Sequence, residues 1–197
     1  MTALVALGLL GVAAALLRGG SFVAWPRVHV YWSTFALASL GVQLLLFNPP
    51  TDHQGWAIAS GPTIWVACMV VLAIVLLRNA FGSRASRYAW LLAALGVGLN
   101  VLVVVANGGY MPQSAEARSA ARVASGTVVP PDGTELRNVV VMTDQTPLPF
   151  LGDVIAEPSW FPNANVISVG DLLLGLGLAW WAFGITSVSK ERARLVD

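Results

Sequence analysis

The chain has 197 residues, 56% of them hydrophobic and only 11% charged, with a formal net charge of +1 and a mean hydropathy of +0.72. An ordinary soluble domain carries about 25% charged residues, so composition argues against a water-soluble globule of this size. The small net charge supplies no basic field for nucleic acid, and a single cysteine, Cys68, allows neither an intramolecular disulfide nor a thiolate metal site.

The apolar residues fall in blocks of about 20, the length that crosses a bilayer at about 1.5 Å per helical residue. Five spans are predicted, over residues 2–17, 28–47, 58–77, 88–106 and 167–188. No Lys or Arg precedes the first, which argues against a signal peptide, and Arg18 follows it instead. Arg18 and Arg27 separate spans one and two. Arg78, Arg84 and Arg87 separate three and four, and Lys190, Arg192 and Arg194 follow five. The loop after span two, "NPPTDHQG" with His53, carries no Lys or Arg. The positive-inside rule then sets the N-terminus outside and the C-terminus inside, as an odd number of spans requires. The expected fold class is an all-α integral membrane protein with one long extracytoplasmic loop between helices four and five. Residues 1–107 form a four-helix membrane region, 108–166 the loop, and 167–197 the fifth helix with a basic cytoplasmic tail.

Trp25 and Trp90 are expected at inner boundaries and Trp56 at an outer one, where aromatic rings favour the headgroup region. Trp180 and Trp181 fall deeper, where belt logic does not explain them. Span four carries a seam of Ala89, Ala93, Gly96, Asn100, Val103 and Asn107, which shares one helix face. Span five repeats Gly170, Gly177 and Gly184, and span one offers Gly8 and Gly11. Small residues let membrane helices approach closely, so these stripes predict helix packing.

The stretch "LNVLVVVANGGYMPQS" closes span four more firmly than a stop requires. Asn107 ends the helix, Gly108 or Gly109 takes the left-handed conformation, and Pro112 prevents resumption. The second glycine suggests a tight turn that folds the chain back onto the helix ends. In the loop, "SAEARSAARVAS" predicts a short helix capped by Ser114, and "TVVPPDGTELRNVVVMT" a hairpin around Pro131-Asp132-Gly133. Two strands alone are marginal in water, so the loop must gain order by lying on the spans or on a partner. "PLPFLGDVI" is apolar enough to rest on the membrane surface.

Polar groups within apolar spans are costly unless paired, so their placement is informative. No Lys, Arg, Asp or Glu falls at an expected midplane, which disfavours a proton pump or ion-coupled carrier. Gln43, Asn100, Asn107 and Asp171 converge on the outer side. Asp171, three residues after Ser168, reads first as a helix cap, and Gln43 and Asn100 read first as interhelical hydrogen-bond formers. The functional reading of the same residues is a shallow, loop-capped polar pocket. Its candidate residues are Gln43, Asn100, Asn107, Gly108, Gly109, Asp153 and Asp171.

The segments "NGGYMP", "LPFLGDVI" and "SVGDLLL", in that order, resemble a family of small polytopic bacterial membrane proteins of unknown function. The resemblance is best over residues 100–174. It implies location in the bacterial cytoplasmic (inner) membrane and supplies no activity. It also implies that "NGGYMP" and the pairs Gly152-Asp153 and Gly170-Asp171 form one extracytoplasmic unit, with both carboxylates on backbone amides of the Asn-Gly-Gly turn.

No HExxH, Cys/His cluster, phosphate-binding loop, dinucleotide fingerprint or GxSxG elbow occurs in the sequence, so no cofactor or metal is expected. The reading that follows is a non-catalytic accessory or scaffolding subunit that docks a membrane protein or a second copy of itself among the lipids, with no nucleic acid. The alternative is a lipid- or small-molecule-binding or transport protein using the outer pocket. A membrane enzyme on a lipid-linked substrate is the third reading, with Asp153 and Asp171 as its acid/base pair.

Overall fold

The computed structural model describes residues 2–47, 54–124, 138–158, 160–161 and 164–188. Helices form where the hydropathy blocks lie: α1 (Thr2–Leu17), α2 (Ser33–Leu46), α3 (Gly55–Gly82) and α4 (Arg87–Ala106). Beyond a short polar helix, α5 (Ala115–Ala124), comes α6 (Val169–Thr186). Three of them, α3, α4 and α6, are long and apolar enough to cross a membrane. α1 and α2 have 16 and 14 residues. At 1.5 Å per residue they reach about 24 and 21 Å, short of a hydrocarbon core of about 30 Å. The five expected spans are thus matched in length by three. α2 starts later than expected because residues 22–27 form a 3-10 turn containing Pro26, and Trp32 is held left-handed at φ 58°.

The helices pack as a row in which α2 lies on α3, α3 on α4, α4 on α6 and α6 on α1. Sequence neighbours α1 and α2 therefore occupy its two edges. Contacts along the row fix directions. Gly96 meets Gly170 whereas Ala89 meets Gly177, so α4 and α6 are antiparallel. Gly11 meets Ala179 and Gly20 meets Thr186, so α1 runs parallel to α6. The Trp65 indole donates to Gln43 and the Asn79 amide to Tyr31, so α2 and α3 are antiparallel. All five apolar helices alternate in direction along the chain. Arg18, Arg27, Arg78, Arg84 and Arg87 gather at one end, and the described acids Glu116, Asp144, Asp153, Glu157 and Asp171 at the other. The two are called here the basic end and the cap end. His53, Lys190, Arg192 and Arg194 lie outside the described residues.

The long loop is not a strand-free extension of an all-α protein. It folds into a four-stranded sheet of order β2-β1-β3-β4, from β1 (Met111–Gln113), β2 (Val139–Val141), β3 (Asp153–Ala156) and β4 (Val166–Ser168). β2, β3 and β4 are rich in Val and Ile, which suit a pleated surface, whereas β1 is Met-Pro-Gln. β1 pairs in parallel with β2 and β3, and β3 antiparallel with β4. A parallel pair needs a crossover, and α5 lies between β1 and β2 in the chain. The Ser114 hydroxyl accepts from the Ala117 amide at 3.2 Å, so Ser114 caps α5 as the sequence suggests. The turn of the expected hairpin lies outside the described residues. Its downstream arm, Val139–Val141, is a strand paired in parallel with β1. Ala117, Ala121, Val166 and Ala156 form a small core under α5. β4 runs directly into α6, so the fifth apolar block begins as a strand rather than a helix.

Candidate functional site

The seam on α4 is its contact with α6. A Cβ on Gly177 would lie 2.6 Å from both the Ala89 carbonyl oxygen and the Ala93 amide nitrogen. Gly96 and Gly170 face each other with equally little room, and Gly170 lies against the Asn100 side chain. Backbones this close leave room for larger polar groups only toward the cap end of the seam, at Asn100 and Asn107. There Asn100 donates to Asp171 Oδ1 at 2.9 Å and accepts from the Ser168 hydroxyl at 2.8 Å. Asp171 Oδ2 accepts from the Ser168 amide at 3.1 Å, and the Ser168 hydroxyl accepts from the Asp171 amide at 2.9 Å. The capping pair read from sequence is thus a reciprocal capping box, closed into a ring by Asn100.

The Asn-Gly-Gly turn answers to backbone and packing. Gly108 and Gly109 both adopt positive φ, 68° and 96°. Gly109 also passes Pro62 of α3 so closely that a Cβ would lie 2.5 Å from the proline Cβ. Two glycines are needed because one reverses the helix and the other clears α3. Asn107 donates to Val103 O at 2.8 Å and to Pro147 O at 3.0 Å, which ties the returning loop to the end of α4. The turn amides are bonded to carbonyls: Gly108 to Val105, Gly109 to Val104 and Tyr110 to Asn107. The expected bonds from Asp153 and Asp171 to these amides are therefore replaced. Asp171 accepts from Ser168 and Asn100, and Asp153 from Gln113.

Asp153 occupies a different setting. It begins β3, an inner strand, where it is in register with Gln113 on one side and Ser168 on the other. It is buried to 8% exposure, and its Oδ2 accepts only a long bond of 3.4 Å from the Gln113 amide. Beside it is a cavity of about 480 Å³, lined among others by Phe47, Gln113, Arg118, Asn138, Asp153 and Asn165. The elements contributing to it are the end of α2, β1, α5, the edge of β2, β3 and β4. The ring of Phe47 packs edge-on against Trp65, whose indole donates to Gln43 at 3.1 Å, so Gln43 stands behind the cavity wall. The structure divides the seven candidates. Asp153 lines the cavity, and Asn100 and Asp171 form the adjoining ring. Asn107, Gly108 and Gly109 build the turn, and Gln43 braces Trp65. Gln113, Arg118, Asn138 and Asn165 were not foreseen. The one available signal was the run "MPQS", whose Gln113 follows a proline that breaks the helix.

Burial pushes the Asp153 carboxyl up to about 7, the Asp171 carboxylate adds to the rise, and the Gln113 amide opposes it. An unfolded aspartate titrates near 3.9. Between about pH 4 and 7 the folded chain keeps a proton that the unfolded chain has lost, so stability falls as pH rises through this window and levels above it. The full loss is of order 4 kcal/mol. We expect Asp153→Asn to remove this slope and to exceed the parent in stability at pH 8. Thermal unfolding in detergent at pH 4.5, 6 and 8 checks it, and an unchanged slope would refute the assignment.

The fold and site define a mostly helical protein with three helices fit to cross a membrane and a small α/β cap over one end. The family model described as "Family of unknown function (DUF5317)" matches residues 27–183, and the chain belongs to that family. The three motifs that suggested an uncharacterised family all lie inside the matched region. No curated protein and no solved structure matches the chain.

Proposed function

We propose that this is a non-catalytic, multi-pass protein of the bacterial cytoplasmic membrane, with the cap outside, that binds a small polar molecule in the cap cavity. The observation that carries the reading is Asp153, a buried carboxyl on the wall of a cavity of about 480 Å³, held by one long hydrogen bond. Such a group is costly until a donor reaches it. The ligand class that suits it carries an amine or hydroxyl for Asp153, with the amide side chains Gln113, Asn138 and Asn165 available for its other polar atoms.

The five arginines at one end and the alternating helix directions support five spans with the N-terminus and cap outside. The shorter α1 and α2, at the edges of the row, are accommodated by local bilayer thinning or flanking residues. Asp171 has both oxygens engaged in the cap ring, which favours a structural role for it over acid/base work with Asp153. Docking of a membrane partner through the glycine stripes has less support, because Gly11, Gly96, Gly170 and Gly177 are occupied within the chain.

The test compares small molecules released from gently purified parent protein and from Ala164→Trp, which narrows the cavity from a half-buried position on its wall. Mass spectrometry should find one stoichiometric amine- or hydroxyl-bearing molecule in the parent and none in the variant, at equal thermal midpoints. Identical small-molecule content, with a stoichiometric protein partner in both, would favour docking instead.

A further inference from the structure

Trp180 and Trp181 lie inside α6, with Trp181 five residues before its last residue, Thr186. That places it about 7.5 Å inside the helix end, below an interfacial belt. Trp181 has a local reason to be there. Its ring packs at 4.9 Å from Trp90 of α4 and 6.1 Å from Trp25 of the 3-10 turn, and the Trp25 indole donates to the Thr186 hydroxyl at 3.1 Å. The Trp90 and Trp181 rings border a second cavity, of about 370 Å³, at the basic end, whose apolar wall also includes Val28, Trp180 and Ile185. An apolar cavity of about 150 Å³ already holds a benzene, so this one has room for a length of hydrocarbon.

Of the polar groups on the wall, His29 stacks edge-on against Tyr31 at 4.8 Å, and Asn79, Ser83 and Ser86 are hydrogen-bonded within the protein. Asn79 accepts from the Tyr31 amide at 2.9 Å and donates to Tyr31 O at 3.0 Å and Val75 O at 2.8 Å. Ser83 and Ser86 bond to each other at 2.8 Å. Beyond the His29 imidazole a polar occupant would find few partners, whereas an alkyl chain requires none. Arg87 lies one turn before Trp90 on the same face of α4, toward the helix end, beside the wall residue Ser86. Its Nε is buried without a hydrogen-bond partner among the described residues. Arg78 is already engaged, its guanidinium 4.1 Å over the ring of the wall residue Tyr31. The described residues at this end include five arginines and no Asp or Glu.

We propose that this cavity takes one acyl chain of an anionic phospholipid, whose phosphate is held by Arg87. The apolar aromatic wall selects the chain, and the guanidinium of Arg87, next in sequence to the wall residue Ser86, selects the charge of the headgroup. This site is separate from the cap cavity and stands independently of the ligand proposed there.

The test loads the full chain in mixed micelles with equimolar phosphatidylglycerol and phosphatidylcholine and counts retained lipids by native mass spectrometry. The parent should retain phosphatidylglycerol in preference by about fivefold, the effect of one arginine at the membrane surface. Arg87→Gln should bring the two lipids to parity, and Arg87→Lys should keep the preference. Gly184→Leu fills the cavity from a wall position where a Cβ meets nothing within 4 Å, and should lose both lipids at an unchanged thermal midpoint. Equal retention of both lipids by the parent would overturn the proposal. So would parental retention of phosphatidylglycerol by either Arg87→Gln or a folded Gly184→Leu.

Discussion

Replacing Gly177 with leucine should cost about 3 kcal/mol or more and leave little folded protein in detergent. The atoms that a Cβ would meet at 2.6 Å are the carbonyl oxygen of Ala89 and the amide nitrogen of Ala93. Neither is the end of a flexible side chain, so α4 and α6 must separate as bodies. Separation would also pull Gly96 from Gly170 and strain the cap ring at Asn100. Membrane helices associate through close van der Waals contact, and that contact is what the substitution removes. The same change at Gly184 should leave stability within about 0.5 kcal/mol, because the space beside it is open. Thermal unfolding of the two variants, followed by tryptophan fluorescence, measures the contrast. Equal midpoints would show that α4 and α6 are not held by this face.

The second large effect is expected at Asn100. Asn100→Ala deprives Asp171 of one donor and the Ser168 hydroxyl of its acceptor, and Ser168 is fully buried. Two groups lose a partner at once, so the cost should be about 2–3 kcal/mol. That exceeds the ~0.6 kcal/mol typical of a single side-chain hydrogen bond between membrane helices. Asp171→Asn should cost less, about 1 kcal/mol, because one amide oxygen still accepts while only one contact is lost. Midpoints ranked parent, Asp171→Asn, Asn100→Ala are expected. The reverse order would mean that the carboxylate, rather than the ring, holds the start of α6.

What the sequence made legible was local. α1 and α4 begin and end within a residue of the hydropathy blocks, because apolar length and small-residue spacing are properties of one helix at a time. The seam on α4 and the Ser168–Asp171 cap follow from spacings of three and four. Of the sheet only β2 was legible, as the downstream arm of the expected hairpin. The strands have three or four residues, too few for a periodicity, and the β1–β2 pairing joins segments on either side of α5. The second glycine of the turn could be seen as surplus, but its reason, the passage of Gly109 beside Pro62, depends on α3. Asn79 lies beyond the third hydropathy block, which ends at residue 77, whereas α3 continues to Gly82 and buries it. The cavity at Asp153 needs the register of three strands, which hydropathy does not carry.

We propose that the cap cavity opens on the outer side of the membrane. Asn165 is an exposed residue on the cavity wall, and Arg84 is exposed in the turn at the basic end. The direct measurement places a single cysteine at each in turn, in a Cys68→Ala background, and labels intact cells with a membrane-impermeant maleimide. Asn165→Cys should react in intact cells, and Arg84→Cys only after permeabilisation. Labelling of Arg84→Cys in intact cells, with Asn165→Cys protected, would overturn this orientation and turn the cavity toward the cytoplasm.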